Sequence, residues 1–284
     1  MGRPALSYIT TCKGRLAHLK QTLPRVATQP GIECIVVDFG CPEGAAAWVE
    51  ATHPNVKVVR VAGVEGCNVS RARNMGAQHA GAPWLGFFDA DILLAPDFFA
   101  KVLPTLAPGH FYWADPPGQQ TWGSIICHRD DFAKAGGYDE AYTGWGGEDN
   151  DLLTMLAMNG VERAGFPAAL VAEIAHGDEL RTRYAEVKDR VTQWHINRLY
   201  LQVKVDLIRM NGGGLDTPTA KALFTEIQRQ VVAARAAGKD SFAIEVSLPA
   251  VRTESFPQDG RIEVSEVQKT MRYAVRILGH HGQP

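Results

Sequence analysis

Residues 84–94 read WLGFFDADILL and carry two carboxylates one residue apart at the end of an apolar run. The run before the acids is apolar throughout, which is typical of a strand covered on both faces. Residues i and i+2 of a strand share a face, so Asp89 and Asp91 are predicted to project the same way. Burying two like charges is costly unless a cation or hydrogen-bond donors compensate. The stretch therefore predicts that a cation or hydrogen-bond donors lie near the two acids.

Three more apolar runs precede this strand, and a helical pattern follows each of them. The first helix is predicted from Arg15 to about Ala27, and the helix from Ser70 to Ala80 has Ser70 as its expected N-cap. Four such repeats predict an α/β fold with a mainly parallel central sheet and helices on both sides. The predicted strands are Leu6–Cys12, Gly31–Gly40, Val56–Gly63 and Trp84–Asp91.

Polar side chains follow the predicted strands at the edge where the loops converge. Thr11 and Lys13 follow the first strand, and Asp38 ends the second. Ligands of such sheets bind beyond the carboxyl ends of the strands, so these residues are expected beside the two acids. Acids and cations together suit a diphosphate bridged by a divalent ion. Two plainer alternatives stay open: an acid could cap the helix near Pro96, and Arg71 could lie on a solvated helix face.

The second half of the chain changes character. Residues 109–147 are rich in glycine and are predicted to be loops around a short strand at Ser124–His128. A helix is predicted from Asp149 to Asn159, and another apolar run ends at His176. The remaining predicted elements are helices at Tyr184–Met210 and Pro218–Ala237, strands within 241–251 and 261–267, and a last helix at Val267–Leu278.

Composition narrows the class of protein. The 284 residues are 45% hydrophobic, which allows a domain at 1–210 with a C-terminal extension of unknown role at 211–284. With 29 basic and 31 acidic residues, a nucleic-acid partner is not expected. No apolar run approaches the ~18 residues that span a bilayer and no signal peptide is recognisable, so we expect a cytoplasmic protein. Five cysteines lack a C-x-x-C pair, which argues against a disulfide framework or a zinc site: Cys12, Cys34, Cys41, Cys67 and Cys127.

Two motifs resemble those of a known enzyme class. FFDADILL (87–94) resembles the D-x-D element of GT-A glycosyltransferases, and TGWGGEDNDLL (143–153) resembles the W-G-G-E-D-[DN]-D signature of the β-1,4-galactosyltransferase branch. TTCKGRLAHL (10–19) resembles the opening nucleotide-binding element of the family, and IVVDFG (35–40) resembles its strand whose last acid holds uracil. The likeness covers about Leu6 to Arg198. The chain thus looks like a family 2-like GT-A glycosyltransferase.

The resemblance implies a role for individual residues. It makes Asp149 the catalytic base, and it makes Asp91 and His176 ligands of Mn²⁺, with Mg²⁺ as the second choice. Taken without the resemblance, His176 could be an ordinary hydrogen-bonded residue. The residues implied at the donor nucleotide are Thr11, Lys13, Arg15, Asp38, Arg73, Asp89 and Ala90. Those implied on the acceptor side are Trp122, Gly123, Trp145, Glu148 and Asn150, of which Trp145 could also be a core residue and Asn150 replaces an acid of some relatives.

The implied reaction moves galactose, another hexose or an N-acetylhexosamine from a UDP-sugar to a hydroxyl acceptor such as a carbohydrate. A single base without a partner nucleophile implies inversion, which gives a β-linkage from a UDP-α-sugar. Like charges could raise the pKa of Asp149 while the helix dipole lowers it, so the net sign stays open. One alternative is an inactive nucleotide-sugar-binding partner protein. A sugar nucleotidyltransferase is less favoured because its glycine-rich loop is missing. The C-terminal extension could mediate a homodimer or hold an acceptor, and composition does not decide between them.

Overall fold

The computed structural model describes residues 2–63, 66, 68–118, 121–247, 251–255 and 263–277, with the backbone alone at 251–255 and 263–267. The chain forms two compact units, residues 1–188 and 189–284. This boundary and the one predicted at residue 210 lie at opposite ends of the same long helix. The four described cysteines are free thiols, and Cys67 lies outside the described residues.

A seven-stranded sheet forms the centre of the first unit. The strands of this unit are β1 (Leu6–Cys12), β2 (Ile32–Asp38), β3 (Lys57–Arg60), β4 (Trp84–Phe87), β5 (Ile92–Leu94), β6 (His110–Asp115), β7 (Ile125–His128), β8 (Glu162–Pro167) and β9 (Val171–Glu173). The sheet order is β3-β2-β1-β4-β7-β6-β8, while β5 and β9 form a separate two-stranded sheet. Strand β7 is antiparallel to both neighbours, and the other pairs in the large sheet are parallel. The predicted α/β fold with a mainly parallel sheet is confirmed.

Helices flank the sheet, with some ends that differ from the sequence prediction. They are α1 (Leu16–Thr22), α2 (Ala45–Thr52), α3 (Val69–His79), α4 (Phe98–Val102), α5 (Arg129–Lys134), α6 (Glu148–Met158) and α7 (Asp178–Thr182). Helix α1 stops before Ala27 because residues 23–25 form a 3₁₀ turn that contains Pro24. The N-cap of α3 is Asn68 rather than Ser70, because the Asn68 side-chain oxygen accepts the backbone N–H of Arg71 at 2.8 Å.

Close packing fixes α3 against the sheet. The helix lies over β1 and β2 at Gly76, where a Cβ atom would collide with Ile9 and contact Val37. The same helix carries Arg71 and Arg73, the two cationic residues that precede Gly76. Because glycine lets the helix and the sheet approach closely, those residues are held near the carboxyl ends of the strands.

The D-x-D segment lies in a turn. Strand β4 ends at Phe87, and the backbone N–H of Ile92 donates to the carbonyl of Asp89 at 3.0 Å. The prediction that a strand carries both acids on one face is therefore wrong. Asp89 and Asp91 enter different side-chain clusters, which the turn separates.

The described part of the second unit contains two long helices and four strands. These are α8 (Arg190–Asn211), α9 (Thr217–Ala236), β10 (Ser241–Ser247), β11 (Val251–Ser255), β12 (Glu263–Val267) and β13 (Thr270–Arg276). Helix α8 begins later than Tyr184 because the Asp189 carboxylate caps it, accepting the backbone N–H of Thr192 at 3.0 Å. The last predicted helix is wrong, since β13 pairs antiparallel with β10. No helix in the described part of the chain has both the length and the apolar character needed to cross a membrane.

Candidate active site

The buried guanidinium of Arg73 joins three carboxylates at the carboxyl edge of the sheet. Its Nη1 donates to Asp149 Oδ1 at 2.7 Å and to Glu148 Oε1 at 3.2 Å, and its Nη2 donates to Asp89 Oδ1 at 2.7 Å. The Arg73 side chain is 3% exposed, whereas that of Asp89 is 45% exposed. We call these four residues the Arg73 cluster. It connects the first acid of the D-x-D segment to the predicted base.

Helix α3 and the loop at Tyr138 hold Arg73 in place. The neighbouring Asn74 accepts the backbone N–H of Tyr138 at 2.9 Å and donates to its carbonyl at 2.8 Å. The Tyr138 ring lies 4.9 Å from the guanidinium carbon, a cation–π distance. Arg71 of the same helix is exposed, which agrees with the solvated-face alternative.

The GWGG segment sets the direction of helix α6. Gly144, Gly146 and Gly147 have φ values of 92°, 78° and 94°, in the left-handed region that favours glycine. Trp145 lies within this glycine turn and is half-buried. Gly147 is the N-cap of α6, so Glu148 and the residue after it occupy the first turn, where the helix dipole favours carboxylates.

Burial dominates the acidity of the predicted base. Removal from water raises the pKa of Asp149 to about 8; Arg73 opposes this rise, while the charges of Glu148 and Asp89 add to it. Burial also raises the pKa of Glu148. The net shift of the Asp149 pKa, whose direction the sequence left open, is therefore upward. Its main cause is desolvation rather than the neighbouring acids. A carboxyl that titrates near neutral pH is suited to general base catalysis.

A second cluster surrounds the other acid of the D-x-D segment. Asp91 Oδ2 lies 2.7 Å from His176 Nε2, and ligand atoms of Asp91, Glu173 and His176 all lie within 4.8 Å of one another. Strand pairing produces this arrangement, because β5 places Ile92 opposite Glu173 of β9, and the N–H of Ile174 donates to the carbonyl of Asp91 at 2.8 Å. We call these three ligand residues the metal cluster. Two carboxylates and an imidazole fit Mn²⁺ or Mg²⁺.

The contacts of His176 orient it toward Asp91. Its Nδ1 lies 3.0 Å from the carbonyl oxygen of Gly177, so this nitrogen can donate there and leave Nε2 for a metal. Metal-ligating histidines usually donate their other ring N–H in this way. Arg15 lies 3.6 Å from Asp91 and supplies positive charge on the same side.

Glu173 is a candidate ligand that sequence reasoning missed. Its carboxylate pairs with Arg181 at 2.5 Å and lies 3.8 Å from His176 Nε2. The available signal was its position three residues before the predicted histidine ligand, at the end of an apolar run. An acid three residues before a histidine is common by chance. Glu173 becomes a candidate ligand only because the pairing of β9 with β5 brings it close to Asp91.

Asp38 ends β2 as predicted and is engaged with the backbone. Its two carboxylate oxygens accept the N–H groups of Cys41 at 2.7 Å and Ala46 at 2.8 Å. These bonds hold the loop between β2 and α2. Each oxygen retains one lone-pair direction that could accept a further hydrogen bond.

Lys13 lies between two aromatic rings after β1. Its Nζ is 5.8 Å from the centroid of Phe39 and 5.3 Å from that of Tyr184. Thr11, close to the end of β1, is half-buried. The sequence predicted that Tyr184 starts a helix. In the structure its hydroxyl instead packs against Gly14, so closely that a Cβ atom on Gly14 would lie 2.7 Å from it. The TTCKGR segment and Tyr184 therefore form one side of the site.

The predicted acceptor-side residues gather beside the base. Trp122 Nε1 donates to Asn150 Oδ1 at 2.9 Å, and the Trp122 ring meets Trp113 edge-on at a centroid distance of 4.2 Å. Gly123 lies so close to the base that a Cβ on it would be 3.1 Å from Asp149 Oδ2. Trp113 was not among the predicted site residues; it lies on β6, in a stretch that the sequence predicted to be loop.

Two family models match successive parts of the first unit. Residues 7–117 match the glycosyl transferase family 2 model, and residues 114–182 match the model described as the N-terminal domain of galactosyltransferase. The validoxylamine A glucosyltransferase of Streptomyces hygroscopicus subsp. jinggangensis is 25% identical over 221 residues, covering 56% of this chain and 52% of that protein. Its counterpart from subsp. limoneus is also 25% identical, with 49% of that protein covered. The chain spans about half the length of these curated relatives.

Solved structures share the fold. The mannosyltransferase PcManGT from Pyrobaculum calidifontis, in complex with GDP-Man and Mn²⁺, has a TM-score of 0.52 at 20% identity, covering 84% of this chain and 77% of that one. S. aureus TarS in complex with UDP-GlcNAc has a TM-score of 0.57 at 13% identity, covering 82% and 73%. At these identities the likeness shows the fold.

The mainly parallel sheet is shared with solved nucleotide-sugar transferases, so the chain has the GT-A fold. Within this fold, residues 7–117 are similar to glycosyl transferase family 2 and residues 114–182 are similar to the galactosyltransferase model. The predicted likeness to family 2-like GT-A glycosyltransferases with a galactosyltransferase-type segment is thereby confirmed.

Proposed function

We propose that this glycosyltransferase moves a sugar from a UDP-sugar to a hydroxyl acceptor, with a divalent metal and with inversion at the anomeric carbon. The observation that supports this proposal most is that the two acids of the D-x-D segment, separated by Ala90, lie in different clusters: Asp89 in the Arg73 cluster and Asp91 in the metal cluster. Asp91 belongs to a set of metal-ligand residues, and Asp89 is tied through Arg73 to a buried base. A leaving-group site and a proton-accepting site thus lie on either side of one residue.

The leaving-group side would be built from the metal cluster. Asp91, Glu173 and His176 would hold Mn²⁺ or Mg²⁺, which when bound supplies positive charge that stabilises the departing diphosphate. Arg15, 3.6 Å from Asp91, and Lys13 would offset the remaining phosphate charge.

The proton-accepting side would be Asp149. Its carboxylate would accept the proton of the acceptor hydroxyl as that oxygen attacks the anomeric carbon. The raised pKa makes it a better base than an ordinary carboxylate. Asp89 and Glu148 share the Arg73 guanidinium with Asp149, and the proposal gives neither of them the role of a nucleophile. One base and one displacement give inversion, hence a β-linkage from a UDP-α-sugar.

The relatives support a sugar donor but differ in which one. The names of the similar proteins specify a glucosyltransferase, a complex with GDP-Man and a complex with UDP-GlcNAc. Hexose epimers differ by one hydroxyl, and a few hydrogen bonds decide between them. Galactose or another hexose or N-acetylhexosamine on UDP is therefore the proposed donor class, and a carbohydrate or other hydroxyl compound is the proposed acceptor.

A thermal-shift screen of UDP- and GDP-sugars with and without Mn²⁺ tests the donor, because a ligand that binds the folded state raises its stability. We expect a metal-dependent shift for a UDP-sugar, followed by UDP release when acceptors are added. EDTA should abolish this release and added Mn²⁺ should restore it. Full turnover in EDTA would exclude the metal, and nucleotide binding without any UDP release would favour a binding protein.

A further inference from the structure

We propose that Arg73 is a positioning residue that holds the general base in register with the donor site, rather than a ligand of the nucleotide. This inference rests on the proposed function of Asp149. Arg73 is bound on one side to the acid at the start of the D-x-D segment and on the other to the base. Its role follows from the geometry of those contacts.

The guanidinium spans the site as a rigid fork. Nη1 donates to Asp149 and Glu148, while Nη2 donates to Asp89, with ionic distances of 2.7, 3.2 and 2.7 Å. Because the guanidinium is planar and its donors are fixed, these contacts set the separation of Asp89 and Asp149. A lysine ammonium is a compact charge that cannot reproduce the fork.

The surroundings of Arg73 leave a phosphate no access to the guanidinium. The side chain is 3% exposed, and the Tyr138 ring lies 4.9 Å from its central carbon. Gly123 approaches from the loop before β7, where a Cβ would be 3.1 Å from Nη2. Asp89, with its side chain 45% exposed, is the open member of the cluster. A bound donor would therefore contact Asp89, and Arg73 would transmit the position of Asp89 to Asp149.

Charge makes this connection necessary. Three carboxylates share one buried guanidinium, so an Asp149 without Arg73 would be repelled by Glu148 and Asp89. The base would then leave the position from which it meets the acceptor hydroxyl. Misplacing a catalytic group by about 1 Å costs roughly 100-fold in rate.

The test compares Arg73→Lys with Arg71→Lys, the same substitution at an exposed position two residues earlier on α3. Arg73→Lys should lower kcat about 100-fold, keep the Kd for UDP within about threefold, and shift the acid limb of the pH–rate profile. Arg71→Lys should match wild type in all three. If Arg73→Lys raises the Kd for UDP but preserves kcat, Arg73 binds the nucleotide and the proposal is wrong. An unchanged kcat together with an unchanged Kd would also overturn it.

A second variant guards against a folding defect in Arg73→Lys. Gly123→Ala removes no charge, yet its methyl would push on Arg73, Asp149 and Asp89 at 3.1, 3.1 and 3.2 Å. It should lower kcat at least tenfold with UDP affinity retained, and wild-type kcat would overturn the positioning role. A wild-type enzyme that turns over no donor would refute the proposed function itself. Turnover that is insensitive to both variants refutes the positioning role alone.

Discussion

The pH dependence of turnover tests the buried base directly. Asp149 must be ionised to accept a proton, and burial raises its pKa to about 8. About one tenth of Asp149 is then ionised at pH 7 and about nine tenths at pH 9, so kcat/KM should rise about tenfold across this interval. The rate should fall as the pH is lowered, because a raised pKa keeps the base protonated. A rate already maximal near pH 5 would refute the buried-base interpretation.

Replacing the base separates catalysis from binding. Asp149→Asn should lower kcat by about 10²- to 10⁴-fold, a barrier increase of about 2.7–5.4 kcal/mol, with UDP affinity near wild type. Steady-state UDP release and calorimetric UDP titration measure the two quantities. Asp97→Asn, at an exposed carboxylate of the α4 N-terminus, is the matched control and should retain full activity. Wild-type turnover in Asp149→Asn would remove Asp149 from its role.

The same substitution has a stability signature. A carboxyl with a raised pKa in the folded state keeps its proton to a higher pH than in the unfolded state. Its stabilising contribution is therefore present at low pH and is lost as the pH rises through the folded pKa. Asparagine does not titrate, so Asp149→Asn should gain in Tm relative to wild type as the pH rises from about 4 to about 8. A Tm difference independent of pH would contradict the raised pKa.

Three further predictions concern other parts of the site. Glu173→Gln should weaken Mn²⁺ binding at least about tenfold by calorimetry, and unchanged affinity would exclude Glu173 as a ligand. Asp38→Ala leaves two backbone N–H groups without their partner and should cost about 1–3 kcal/mol of unfolding free energy in urea, whereas an unchanged midpoint would contradict that role. Hydrogen bonding from Cys12 lowers the pKa of Cys41 to about 5, so limiting iodoacetamide should alkylate Cys41 before Cys34; equal labelling by mass spectrometry would refute this.

Local patterns predicted five strands of the large sheet, whereas β8 and also β6, which lies in the stretch predicted to be loops, were not predicted. The apolar runs before Cys12, Asp38 and the D-x-D segment are strands, since both faces of a parallel sheet are covered. The rule that residues i and i+2 of a strand share a face does not apply to Asp89 and Asp91, because β4 already ends at Phe87 and the chain then turns. A turn closed by a single backbone hydrogen bond leaves no period in the sequence. The shared face of the two acids was therefore a wrong prediction drawn from a correct strand.

Partners distant in sequence account for what local patterns missed. Glu173 reaches Asp91 because β9 pairs with β5, and no local period encodes that pairing. Beyond Val267, apolar residues recur at Met271 and Val275, a spacing that suits a helix as well as a strand. Pairing with β10 selects the strand, because a half-buried sheet surface favours alternate residues.

The single residue between the two acids links both halves of the site. Ala90 is buried, and its carbonyl accepts the hydroxyl of Thr22 from α1 at 2.9 Å. The turn that carries Asp89 and Asp91 is therefore anchored at its middle, so the metal cluster and the Arg73 cluster cannot move independently by bending that turn. For a displacement reaction, leaving group and attacking oxygen must stay on opposite sides of one carbon. In the proposed reaction, an anchored turn would meet this requirement with one buried hydrogen bond and would let acids one residue apart serve two separate tasks.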